Sequence, residues 1–160
     1  MLVQDRTSVA TLNSRTDFLR VLVRPHEPIN YFLHDGAGNV LFGAGIPITM
    51  TRDKQVQYFA RASNADDWKP LKKLIPYANN PHIRPGLVVP GQKTAYSVFD
   101  YQGRTALFKI DLTDQRDPEP VYWHAERDVG TYIYDGASRL LGVGFEIGRA
   151  SCRERVSKQV

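Results

Sequence analysis

Four short segments rich in β-branched and aromatic residues recur along the chain at intervals of about 36 to 46 residues. They are Leu19-Arg-Val-Leu-Val23, Gln55-Val-Gln-Tyr-Phe59, Thr94-Ala-Tyr-Ser-Val98 and Leu140-Leu-Gly-Val-Gly144. Each sits beside a turn rich in Gly or Asp. A strand of this kind must bury at least one face, and one strand cannot do so alone. Recurrence near 40 residues, with room for about four short strands per unit, is the pattern of β-propeller blades. A β-sandwich also places strands every 8 to 12 residues and is the competing architecture.

The intervening sequence fits many short strands. Val9–Leu12, Phe18–Arg24, Ile29–His34 and Val40–Phe42 form a meander broken at Pro25, Pro28 and Asp35-Gly-Ala-Gly38. Ile46–Met50, Gln55–Arg61 and Trp68–Leu71 follow, then a proline-containing loop over 76–85. Leu87–Val89, Thr94–Phe99, Thr105–Asp111 and Val121–Trp123 make a third group, and Thr131–Tyr134 with Leu140–Phe145 a last hairpin. No apolar stripe of helical period runs for three turns; Lys69–Ile75 comes nearest, and Pro70 weakens it. The fold class expected is all-β: a partial β-propeller of about three to four antiparallel blades around a common axis, with the ring open.

Charge excludes one large function class. The formal net charge is +4, but residues 147–160 hold four basic side chains against Glu154. The rest carries 17 basic and 16 acidic residues, which gives no electrostatic footprint for a polyanion. Nucleic acid is not an expected partner. Neither is a membrane, since no run approaches the roughly 18 apolar residues of a spanning helix. The opening residues, interrupted by Gln4, Asp5 and Arg6, are not expected to be a secretory leader. The single cysteine, Cys152, excludes a disulfide framework and a cysteine-rich zinc site.

That cysteine lies in a segment with an unusual resemblance. Ile147-Gly-Arg-Ala-Ser-Cys-Arg-Glu-Arg-Val156 is similar to the translation of a common short-read sequencing adapter. The back-translation ATC GGA AGA GCG TCG TGT AGG GAA AGA GTG follows the adapter without a gap. On this reading the native frame is interrupted near Glu146, and Cys152 says nothing of redox compartment or catalysis. Three parts are expected: 1–17, a leading strand or incomplete blade; 18–146, propeller blades; 147–160, a non-native tail that packs poorly and adds nothing to the core.

Candidate chemistry is sparse. A nucleophile elbow needs Gly-x-Ser-x-Gly, so that a strained turn presents the hydroxyl. The nearest match, Gly136-Ala-Ser138-Arg-Leu140, has Leu where the second Gly belongs, so Ser138 is not expected to be a nucleophile. His26, His34, His82 and His124 show no zincin spacing. His124 with Glu126 and Asp128 suggests either a polar cluster at a blade junction or, with more weight, a structural turn. Gly36-Ala-Gly38 and Gly43-Ala-Gly45 lack the third glycine of a nucleotide loop and read as turn glycines. Tyr96, Phe99, Tyr101, Phe108, Tyr122, Trp123, Tyr132 and Tyr134 read as packing between blades, not as a platform for bases. No catalytic, cofactor-binding or metal-binding residue is expected, and no cofactor.

Three stretches carry a family resemblance: Phe18–Asp35; Gln92–Leu112, containing Thr94-Ala-Tyr-Ser-Val-Phe99 and Gly103-Arg-Thr-Ala-Leu-Phe-Lys-Ile-Asp-Leu112; and Val121–Glu146, with Asp128-Val-Gly130 and Leu141-Gly-Val143. In this order they resemble the N-terminal propeller of the prolyl oligopeptidase family of serine peptidases, which includes dipeptidyl and acylaminoacyl peptidases. Ala125 departs from the proline usual there. The resemblance implies that an α/β-hydrolase domain with a Ser, Asp and His triad follows the propeller, downstream of Glu146. It also implies that the propeller restricts access to peptides or small substrates. The chain itself is then a non-catalytic fragment whose partners, in the parent, are the missing hydrolase domain and a peptide substrate. A TolB-like or other propeller binding module with no enzyme attached is the alternative, and a β-sandwich interaction domain a third. Compartment is left open.

Overall fold

The computed structural model describes residues 8–47, 55–77, 86–135, 139–147 and 150–155. They form a mostly antiparallel all-β protein in four small sheets. Strands β1 (Val9–Asn13) and β2 (Phe18–Val23) make a two-stranded hairpin. Strands β3 (Tyr31–His34), β4 (Val40–Gly45), β5 (Gln57–Ala60) and β6 (Lys69–Pro70) form the first full meander. A 3₁₀ helix at Lys72–Tyr77 leads on. The second meander comprises β7 (Leu87–Val88), β8 (Thr94–Tyr101), β9 (Arg104–Asp111) and β10 (Glu119–Tyr122). Strands β11 (Asp128–Tyr134), β12 (Leu140–Ile147) and β13 (Ala150–Arg155) close the order. In every sheet the strands lie side by side in chain order.

The second meander is the middle of the described structure, and its residue alternation explains why. In β8 and β9, Ala95, Phe99, Ala106, Phe108 and Ile110 pack against Phe42, Ala44, Tyr58 and Ala60 of the first meander. The residues between them, Tyr96, Val98 and Leu107, join Val129, Val143 and Phe145 of the third sheet. Period-two alternation sends successive side chains to opposite faces; here both faces are apolar, so both are covered. Phe99 is fully buried, with ring centroids 6.4 Å from Tyr58, 4.9 Å from Tyr77 and 5.6 Å from Phe108.

Local chemistry fixes the turns. Asp35 accepts hydrogen bonds from the backbone N–H of Ala37 and Asn39 and from the Asn39 side chain, at 2.8–3.0 Å. Burial pushes the Asp35 carboxyl up, but these three donors together hold it below its ordinary range. The β11–β12 turn repeats the device. Asp135 accepts from the N–H of Arg139 at 2.9 Å and from its Nε at 2.7 Å. Asp35 with Asn39 and Asp135 with Arg139 thus make the same backbone and side-chain bonds between the first two strands of their sheets.

Several sequence expectations change. Gly43 and Gly45 lie inside β4, not in a turn. A Cβ at Gly43 would sit 2.7 Å from Ile29 Cγ2, and one at Gly45 would meet the Pro28 carbonyl; these glycines let the chain entering β3 cross close over β4. The strand expected at Val121–Trp123 is β10, which starts two residues earlier, at Glu119, and ends at Tyr122. Of the strand expected at Ile46–Met50, Ile46 and Pro47 are irregular and the rest lies outside the described residues. The stretch from Lys72 is a 3₁₀ helix because Asp114, 41 to 42 positions away, accepts the N–H groups of Lys72 and Lys73 at 3.1 and 3.0 Å. Ala150–Arg155, within the segment expected to pack poorly, pairs along β12 from Ile147↔Ala150 to Gly142↔Arg155. This is backbone pairing, which an open strand edge offers to any extended segment beside it. The β1–β2 hairpin is the least covered sheet: Leu12, Phe18, Leu19 and Val21 are all more than half exposed.

Phe99→Ala is expected to lower the unfolding free energy by about 3–5 kcal/mol in urea titrations, through the cavity left among three rings. Ser97, fully buried in β8, has no hydrogen-bond partner for its hydroxyl among the described residues. Ser97→Ala is therefore expected to be neutral or stabilising, since the desolvation of an unpaired hydroxyl is relieved. A loss above about 1 kcal/mol would show that the hydroxyl is bonded in the folded protein.

Candidate functional site

A concavity lies where the second and third sheets meet. It begins at the junction of β9 and β11. Asp128, the first residue of β11, accepts the Thr105 N–H at 3.0 Å and Arg104 Nη1 at 3.1 Å. The Thr105 hydroxyl donates to the Val129 carbonyl at 2.8 Å. These bonds fasten the start of one meander to the hairpin of the one before. The Thr105 N–H, opposed by slight burial and helped by Arg104, holds the Asp128 carboxyl below its ordinary range.

Beyond this clamp opens a cleft of about 670 Å³. Tyr132, Tyr134 and Thr131 of β11, Thr105, Asp128 and Glu146 supply polar side chains, and no lysine or arginine lines it among the described residues. Two glycines shape it. A Cβ at Gly86 would collide with the Tyr132 hydroxyl, so Tyr132 lies directly over the backbone entering β7. Burial, with Tyr31 and Tyr134 adding, pushes the Tyr132 hydroxyl up to about 12. A Cβ at Gly130 would sit 2.7 Å from Glu146 Cγ and 2.9 Å from Oε1. The Glu146 side chain therefore lies flat across β11, facing Asp128 in the strand register. The rings of Tyr132 and Tyr134 follow one another on the same face, 6.2 Å apart.

A second cleft, of about 500 Å³, lies between the first and second meanders beside Arg61. Two of its charged groups, Arg61 and Asp114, serve the fold. Arg61 donates through Nε to the Val40 carbonyl at 2.7 Å and through Nη2 to Asn64 Oδ1 at 2.9 Å, with its guanidinium 4.5 Å from the Trp68 ring. Asp114 there caps the 3₁₀ helix.

Among the described residues the histidines are not brought together. His34 Nδ1 accepts the Gly36 N–H at 3.0 Å, and His26 lies against Phe59. His124 Nδ1 accepts the Glu126 N–H at 3.1 Å, and its ring packs edge-on to Phe145 at 5.7 Å. That is the structural turn; Asp128 is engaged elsewhere, with Arg104 and Thr105. His82 and Ser138 lie outside the described residues. Among the described residues no three His, Cys, Asp or Glu side chains are placed to hold a metal ion. The cleft residues Glu146, Tyr132, Gly86 and Gly130 did not stand out in the sequence as a site. The one local signal was a glycine, Gly130, inside a segment otherwise suited to a strand. No family model, curated protein or solved structure matches the chain.

Asp128→Asn gives a pH-dependent test of the clamp. A carboxyl with a depressed folded pKa contributes stability above its unfolded value and loses it as pH falls through the folded value. The stability difference between the parent chain and Asp128→Asn is therefore expected to be full near neutral pH and to shrink as pH drops below the ordinary value of 3.8. A difference that stays constant from pH 7 to pH 3, followed by denaturant titration at each pH, would contradict the clamp.

Proposed function

We propose that the chain is a non-catalytic part of a β-propeller, drawn from the N-terminal region of a prolyl-oligopeptidase-type serine peptidase. In the parent, a following α/β-hydrolase domain cleaves peptides and the propeller restricts which of them reach it. The observation that carries this reading is the serial order of the sheets. Successive antiparallel meanders follow the chain, and each packs face to face on the next. Their first strands are neighbours: β3 lies beside β7, and Tyr132 of β11 covers Gly86 at the entry to β7. Blades around an axis have this connectivity, with first strands innermost. Greek-key crossovers between facing sheets, the mark of a sandwich, do not occur among the described strands.

The stretches that resemble the peptidase family support the same reading by where they fall. Gln92–Leu112 spans the β8–β9 hairpin, and Asp128-Val-Gly130 and Leu141-Gly-Val143 lie on the paired strands β11 and β12, the first opposite Phe145 and Glu146, the second opposite Tyr132 and Ile133. Asp35 with Asn39 and Asp135 with Arg139 make the same bonds at the same place in two sheets.

The deciding experiment is recovery of the native gene from an independently prepared library, with assay of the purified chain alongside. The expected result is a frame that diverges from Ile147 onward and runs into a Gly-x-Ser-x-Gly segment, while the present chain does not turn over a chromogenic dipeptide. A native frame that keeps Ile147–Val160 would overturn the adapter reading. A frame that continues only into further strands would overturn the peptidase reading in favour of a propeller binding module. Turnover by the present chain, abolished in Ser138→Ala, would overturn its non-catalytic role.

A further inference from the structure

We propose that the free edge of β1 pairs with β1 of a second copy of this chain, joining two hairpins into a four-stranded antiparallel sheet in the order β2-β1-β1-β2. The proposal goes beyond the peptidase reading and does not rest on it, because every residue at the seam lies in the β1–β2 hairpin.

Three observations carry it. First, β1 stands at an edge and in solvent. It pairs with β2 in a two-stranded sheet, and Ala10, Thr11, Leu12 and Asn13 are all exposed. Two strands alone are marginal in water, and further strands beside them supply stability. Second, most other edges are blunted and this one is not. The sequence puts Lys69 and Pro70 in β6, Glu119 and Pro120 in β10, Asp128 in β11, Arg153, Glu154 and Arg155 in β13, and Arg20 in β2. Charge and proline at an edge discourage pairing with another chain. Strands β3 and β7 have neither, but they lie beside one another. Val9-Ala-Thr-Leu-Asn13 also has neither, and it faces water.

Third, the strand is compatible with itself. Antiparallel pairing about its central residue sets Thr11 opposite Thr11 of the second copy, a favourable cross-strand pair. Ala10 then lies opposite Leu12 of the second copy. Within the hairpin Ala10 is opposite Val21 and Leu12 opposite Leu19, so pairing merges two apolar stripes on one face of the new sheet. No charged residue lies at the seam. The two Arg20 side chains stand on strands three spacings apart, about 14 Å, beyond the roughly 8 Å over which exposed charges couple in physiological salt.

Twofold symmetry makes the contact isologous, so it closes at a dimer. A seam of five residues per copy falls short of the ~1,200 Å² of a stable interface. Association is therefore weak, and at low concentration the hairpin of the monomer stays exposed.

The test is sedimentation equilibrium of the full chain across the micromolar to millimolar range, with amide exchange read residue by residue at both ends of it. The expected result is a monomer that converts to a dimer and grows no further, with exchange in β1 slowing at the high end. Thr11→Lys sets like charges opposite one another and is expected to raise the dissociation constant at least about tenfold. Thr11→Val, uncharged and β-branched, is expected to keep the dimer. Leu141→Lys places a charge on an exposed apolar residue of another sheet and is expected to leave the dissociation constant unchanged. Circular dichroism confirms that each variant is folded. A monomer at every concentration, parental association in Thr11→Lys, loss of the dimer in Thr11→Val or Leu141→Lys, growth beyond a dimer, or exchange that slows in another strand instead of β1 overturns the proposal.

Discussion

Burial of the β8–β9 hairpin on both faces is the constraint from which the rest of the arrangement follows. A hairpin with apolar residues on both faces cannot leave either face in water, and at roughly 25 cal/mol per Å² of apolar surface the penalty for exposing one would rival the stability of a small domain. Phe99, Phe108 and Ile110 need the first meander on one side; Leu107 and Val98 need the third sheet on the other. The loops answer to the same demand. Asp114 leaves the end of β9 to cap the 3₁₀ helix of the preceding meander, and Asp128 reaches back from β11 to Thr105. Each junction between sheets is thus closed by apolar packing in the middle and by an aspartate accepting backbone N–H groups at the rim.

The cleft is a by-product of this stacking. Where Asp128 clamps β11 to the start of β9, the two sheets cannot remain in contact along their whole length, and the gap is lined by what the strand alternation sends there. Gly86 and Gly130 then decide which side chains occupy it. The same logic, backbone brought close where a side chain is absent, places Pro28 and Ile29 over Gly43 and Gly45 in the first meander.

Much of the strand content was legible in the sequence because it depends on local patterning. The alternation in Thr94–Phe99 and Thr105–Asp111, and the turn between them at Gln102-Gly103, belong to adjacent residues; Gln102 and Gly103 both take positive φ, as a tight hairpin requires. What was not legible depends on partners far away in the chain. Nothing in Lys72-Lys-Leu-Ile-Pro-Tyr77 reveals a 3₁₀ turn; its cap is Asp114. Gly43 and Gly45 read as turn residues until the crossing of Pro28 and Ile29 is known. Ala150–Arg155 has little strand character of its own, and it pairs because the edge of β12 is open. The cleft draws on Gly86, residues 105 and 128–134, and Glu146, so no window of sequence contains it. His124 was the reverse case: the competing readings were visible, and the turn prevailed because Asp128 had a stronger claim from Thr105 and Arg104.

The central claim is that the middle meander is held from both sides while the β1–β2 hairpin stands nearly free. Amide hydrogen exchange measured residue by residue tests it most directly, since protection reports the free energy of opening each segment. The account predicts the slowest exchange in β8 and β9, intermediate rates in β4, β5, β11 and β12, and rapid exchange throughout Val9–Val23. Protection in β1 and β2 equal to that of β8 and β9, or fast exchange of the Phe99 and Phe108 amides, would contradict it.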